Sequence, residues 1–180
     1  MYRSLLFLAI CFFFLNTGAQ VFNSGANMGG KAVTIGLQPV MVDVGRADDP
    51  VLFMHADITI VPTMHIAAKA GLSDGSQYFG GAAKWNLAKV ISLSAGVHKY
   101  GRWGLDGSFI LSLPLKNDSY LFTGADMDMN FDHNDVHTPL WIPVGLSVGV
   151  SKVLAVALET DFALCWGAYH IVGGGIIFKF

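Results

Sequence analysis

Val153–Leu164 reads VLAVALETDFAL, and the order of its residues decides the fold. Leu154, Val156, Leu158, Thr160, Phe162 and Leu164 fall on one face, while Ala155, Ala157, Glu159, Asp161 and Ala163 fall on the other. A repeat of two residues belongs to a β-strand. The alternation returns in LFTGADMDMNF (Leu121–Phe131), where Leu121, Ala125, Met127, Met129 and Phe131 oppose Gly124, Asp126, Asp128 and Asn130. In WGLDGSFILSLPL (Trp103–Leu115), Trp103, Leu105, Phe109, Leu111 and Leu113 oppose Asp106, Ser108 and Ser112. VISLSAGVH (Val90–His98) repeats it, with Ile91, Leu93, Ala95 and Val97 opposite Ser92, Ser94, Gly96 and His98. Each segment therefore has a greasy face and a small or polar one.

Composition narrows what such strands build. Of 180 residues, 53% are hydrophobic and only 13% charged, with 21 glycines and a formal charge of −2. That is too apolar for a disordered chain, and the charge leaves no basic footprint for nucleic acid. After the first residues, the longest run without Asp, Glu, Lys or Arg is Phe162–Phe178, which contains His170 and Gly173-Gly174-Gly175. It is a poor membrane helix.

The start of the chain reads as a targeting segment: Arg3 is the positive region, Leu5–Leu15 the apolar region, and Thr17-Gly18-Ala19 a small-residue cleavage site before Gln20. A lipoprotein reading centred on Cys11 is disfavoured by bulky Ile10 and by the apolar run continuing through Phe14. Cleavage near Ala19 removes Cys11 and leaves Cys165 without an intramolecular partner. The expected organisation is a signal peptide over 1–19, a periplasmic leader over 20–31 and a barrel domain over 32–180.

Ten strand-like segments follow, at 32–44, 51–61, 63–72, 77–87, 90–101, 103–114, 118–131, 139–150, 153–164 and 170–180. Nearly all match the ~9 to 11 residues that a tilted membrane strand needs. Alternate connectors are tight, at Pro62-Thr63, Leu87-Ala88-Lys89, Lys116-Asn117 and Ser151-Lys152. The others include GRADDP, SDGSQ and DHNDVHTP, which are more polar and mostly longer. This one-sidedness predicts an all-β fold: a closed antiparallel transmembrane β-barrel of about ten strands, with 32–44 paired to 170–180. An eight-stranded barrel is the alternative, if 51–72 is one bent strand and 32–44 a plug or leader. Trp103 and Trp166 fall beside the long connectors and Trp85 and Phe180 beside the short ones, as two aromatic girdles. Trp141 is also at the outer rim but on the inward phase, which calls for a bulge near Pro143 or a phase shifted by one.

The chain ends in GGGIIFKF, with Val172, Ile176, Phe178 and Phe180 on one face. Together with the targeting segment, this terminal strand resembles those of small outer-membrane β-barrels of Gram-negative bacteria, broadly the opacity-protein-like class. The resemblance implies an outer-membrane location, recognition by barrel-assembly machinery and contact with outer-membrane lipids. The connectors are short for an adhesin. The glycine triplet is explained by strand coiling and close neighbours, and no Lys-Ser/Thr or helix follows to make a phosphate loop.

Strand direction places Asp57, Asp106, Asp126, Asp128, Glu159 and Asp161 in the lumen half nearest the long connectors, with Lys69, His55 and His98. Lys84, Lys179 and His65 fall in the other half. Pro143, Gly145 and Ser147 face inward and are expected to leave room for water or an ion. Two readings follow: the groups pair across a plugged lumen and the barrel has a structural or surface role, or they line a narrow, cation-attracting pore. Ten strands leave little space beyond side chains, favouring the first.

No enzyme, cofactor or nucleic-acid partner is expected. His98, Ser94 and Asp106 resemble a catalytic triad by residue type only, and His170 is the one outer-rim, lipid-phase histidine a lipid-A-modifying enzyme could use. His133 and His137, with Asp132 and Asp135, form a weak metal candidate, of the kind that suits zinc, in a polar loop.

Overall fold

The computed structural model describes residues 33–42, 50–73, 76–132, 135–165 and 168–180. The expected signal peptide, the whole of the expected leader, His133 and Trp166 lie outside them. The described residues form eleven strands: β1 (Val33–Val42), β2 (Val51–Val61), β3 (Met64–Ser73), β4 (Ser76–Ala88), β5 (Ile91–Tyr100), β6 (Arg102–Pro114), β7 (Tyr120–Asp132), β8 (Asp135–His137), β9 (Leu140–Gly149), β10 (Leu154–Ala163) and β11 (Ile171–Lys179). Ten of them pair antiparallel, each with its sequence neighbours, into a ring that closes where β1 meets β11. Short β8 lies outside the ring and pairs with the end of β7, Val136 opposite Phe131.

The eight-strand alternative is excluded. β2 and β3 are separate strands on either side of the Pro62-Thr63 turn, and β1 closes the wall, with Ile35 opposite Phe178 and Leu37 opposite Ile176. Closure follows from the solvent, because a sheet edge in lipid has no partner for its N–H and C=O groups. The last residue joins in: the Phe180 amide donates to the Val33 carbonyl at 2.9 Å.

The short connectors are true hairpin turns. Asn117 and Asp118 both take positive φ, at 57° and 52°, the geometry of a two-residue turn whose twist matches its strands. At the opposite end, β5 and β6 are joined through Gly101 alone, at φ 67°.

Outward positions form an apolar belt that includes Ile35, Leu37, Leu52, Ile58, Phe79, Val97, Leu105, Phe109, Met127, Leu146, Val156 and Phe178, all exposed. Trp85, Trp103 and Phe180 lie on it near the strand ends. Trp141 is a correction to the sequence reading. Neither a bulge nor a phase error is present: β9 keeps one unbroken register against β10 from Trp141 to Gly149. The β7–β9 ladder skips the positions around Pro143, which has no N–H to donate, and resumes in the same register. Trp141 faces inward because the lumen there is apolar.

Candidate functional site

The lumen is the candidate site, since the period of two brings the charged strand residues into it among the described side chains, Lys99 and the turn-tip Arg102 excepted. Its filling has two layers. At the long-connector mouth, Val40, Val51, Phe53, Tyr78, Trp141 and Ile171 form a buried apolar cluster, with Tyr100 packed against it. The Phe53 and Tyr78 rings meet edge to face at 5.4 Å, and Trp141 Nε1 donates to the Tyr169 carbonyl at 2.9 Å. Trp141 is 1% exposed. The sequence reading placed six carboxylates in the lumen half at this end. Instead, aromatic side chains cap it and the acids lie deeper.

Beneath the cap, Tyr78 stacks on His98 at 5.6 Å. His98 Nε2 donates to Asn130 Oδ1 at 3.1 Å, and its Nδ1 stands 3.5 Å from Asp106 Oδ2. Ser94 is not part of this arrangement; its hydroxyl is hydrogen-bonded to that of Ser108 at 2.5 Å. The three residues that resemble a triad by type therefore do not assemble into a relay.

Two lysines and three aspartates, Lys69, Lys84, Asp106, Asp126 and Asp128, share a water-sized cavity with Tyr78, Ala82 and Ser94. Lys84 Nζ pairs with Asp57 Oδ1 at 2.8 Å. The sequence had put these two in opposite halves. They meet because the small residue Ala67 on β3 lies opposite both Asp57 and Ala82, so the lysine stem passes over it from β4 to β2. On β10, the carboxyl groups of Glu159 and Asp161 lie within hydrogen-bonding reach of each other, yet no N–H or hydroxyl donor serves either Glu159 oxygen. Both side chains are buried.

The rest of the predicted lumen set is also inward-facing. His55 is buried against the Gly36 backbone, where an added Cβ would collide with the imidazole. His65 accepts from Asn86 Nδ2 at Nε2 (2.9 Å), leaving Nδ1 to donate to Thr59 Oγ1 (3.0 Å). Lys179 is buried at the short-turn end. Pro143, Gly145 and Ser147 face inward, but they do not leave the expected space: the Phe122 ring lies where a Gly145 side chain would be.

Among the loop candidates, His137 is buried opposite Asn130 in the β7–β8 hairpin, a strand pair where a polar loop was expected. His133 lies outside the described residues, and no cluster of metal-ligating side chains occurs among those described. His170 is exposed; its Nδ1 accepts from the Ala163 amide at 3.2 Å, and its ring meets Phe162 edge-on at 6.1 Å. Sequence reasoning missed the lumen aromatics Phe53, Tyr78 and Phe122, and read the inward phase of Trp141 as an anomaly. Their signal was present as inward-phase rings, three of them at long-connector ends.

No family model and no curated sequence matches the chain. Solved structures do. A KdgM porin, described both alone and in complex with disordered oligogalacturonate, superposes with TM-score 0.52 at 11% identity over 82% of this chain and 99% of that one. The translocator domain of the autotransporter NalP from Neisseria meningitidis gives TM-score 0.50 at 10% identity, over 88% of this chain and 90% of that one. At such identities the likeness is one of fold. With closure, strand number and an apolar exterior already established, the chain has the fold of a small outer-membrane β-barrel.

Proposed function

We propose that the protein is exported, inserts in an outer membrane with the help of barrel-assembly machinery, and serves there as a non-catalytic structural or surface barrel with an occluded lumen. The observation that carries this is the cap: Trp141, Tyr78 and Phe53 pack together at the mouth, and among the described residues the polar groups beneath border a water-sized cavity. Filling by side chains is what a barrel of this size favours. Ion pairing such as Lys84–Asp57, and hydrogen bonding such as His98–Asn130, give that core a defined register rather than a path. The likeness to a KdgM porin is one of fold, and the word porin in that protein's name is not carried over to this chain as a role.

The test is osmotic swelling of vesicles containing refolded protein, with heat-modifiable migration on gels as the check on folding. Folded protein should leave swelling in a small sugar at the rate of protein-free vesicles. Swelling that scales with folded protein would replace this reading with that of a small-solute channel.

A further inference from the structure

Glu159 and Asp161 are two residues apart within β10, so the strand period carries both carboxyl groups to the inner face. They are 1% and 2% exposed. The neighbouring strands offer them no polar side chain in register: Glu159 lies between Gly145 on β9 and Gly173 on β11, and Asp161 between Pro143 and Ile171. The charged groups that face the pair come from across the lumen, Asp126 and Asp128 on β7 and Lys69 on β3. Lys69 gives no hydrogen bond to either Glu159 oxygen, and Asp161 Oδ1 is likewise without a donor. What each carboxyl group does meet is the other, within hydrogen-bonding reach.

Ionised carboxylates are acceptors only, so two of them in contact, buried and without a donor, repel each other and leave their oxygens unsatisfied. A single hydrogen reverses this. A carboxylic acid donates its O–H to the carboxylate beside it in a short, charge-assisted bond, and the pair keeps one negative charge, which Lys69 faces. The proton is taken from water as the chain folds and returned when it unfolds, and no other bond is made or broken. We propose that the folded barrel holds one proton between Glu159 and Asp161 that the unfolded chain does not hold at neutral pH, so that alkali weakens the packed lumen by withdrawing it. The proposal rests on the reading of the lumen as occluded, because a water-filled lumen would solvate both carboxylates.

The test is urea unfolding of protein refolded in phosphatidylcholine vesicles, from about pH 5 to about pH 8, above the range where free carboxyl groups titrate. Wild type is compared with Glu159→Gln and Asp161→Asn. A proton bound only in the folded state makes the unfolding equilibrium constant rise about tenfold per pH unit until the proton is released. Either amide supplies its hydrogen at every pH, so both variants should lack that tenfold component, while other lumen groups titrate alike in all three proteins. At neutral pH the wild type should also show an infrared band of a carboxylic acid that both variants lack. Profiles parallel to the wild type in both variants would overturn the shared proton; if calcium chloride then stabilised the wild type alone, the pair would belong to a cation. The band is read on the wild type by itself, so its absence overturns the proposal even where neither variant folds. Vesicle swelling is scored on the same samples: folded protein that admits a small sugar at every pH sinks the occluded reading, whereas tight vesicles with parallel profiles sink the proton alone.

Discussion

Glu159 and Asp161 are two residues apart on β10, which puts both carboxyl groups on the same inner face. Their burial was legible from the alternation alone, because any residue in phase with Ala155 and Ala157 had to point inward. Replacing Glu159 with Gln removes a buried carboxyl group that no N–H or hydroxyl donor serves and supplies an amide donor to Asp161 at nearly constant shape. Glu159→Gln should therefore stabilise the barrel to urea, by about 1–3 kcal/mol; a loss of stability would show that the Glu159 carboxyl group is already satisfied where it lies. Contacts between strands were not legible in the same way. The Lys84–Asp57 pair crosses a third strand, and Phe122 fills the space above Gly145. Both depend on which strands are neighbours and how far they are staggered, which a single-strand pattern does not encode. The Gly145–Phe122 fit has its own consequence. Gly145→Ala would place a methyl group against the ring and should cost roughly 1–3 kcal/mol in the same unfolding assay, whereas an unchanged midpoint would mean that the ring moves aside freely.

At the scale of the strand, the alternation and the tight connectors located all ten wall strands to within a few residues, because in a barrel both faces are strongly specified. The exception was β8. Asp135–His137 carries no alternation long enough to notice, and it is held as a strand only because the end of β7 projects beyond the ring and offers an edge. Trp141 misled in a related way: an aromatic residue at a strand end suggests a girdle, yet at the mouth of a narrow lumen the same ring is an inward plug. β11 closes the wall and ends with Phe180 exposed on the outer surface, beside the first residue of β1. If assembly machinery reads that terminal ring, Phe180→Ser should lower insertion in cells more than it slows refolding into detergent or vesicles. Equal losses in the two assays would assign Phe180 to packing alone.

For the molecule as a whole, closure and filling are coupled. Pairing β1 with β11 fixes a ten-stranded circumference, and that circumference is narrow enough for inward rings from β2, β4 and β9 to meet at one mouth. The acids that fall in the lumen half nearest the long connectors when read along the chain become the lower layer of a packed interior when read around the ring. Fold class and closure were thus available from sequence, and a plugged lumen was its favoured reading, while the aromatic cap was not legible, since it depends on side chains from distant strands converging. Planar-bilayer recording of the refolded protein tests that occlusion most directly, with folding verified by heat-modifiable migration. The account predicts a flat baseline in monovalent salt at all moderate voltages; discrete, reproducible current steps from folded protein would contradict it.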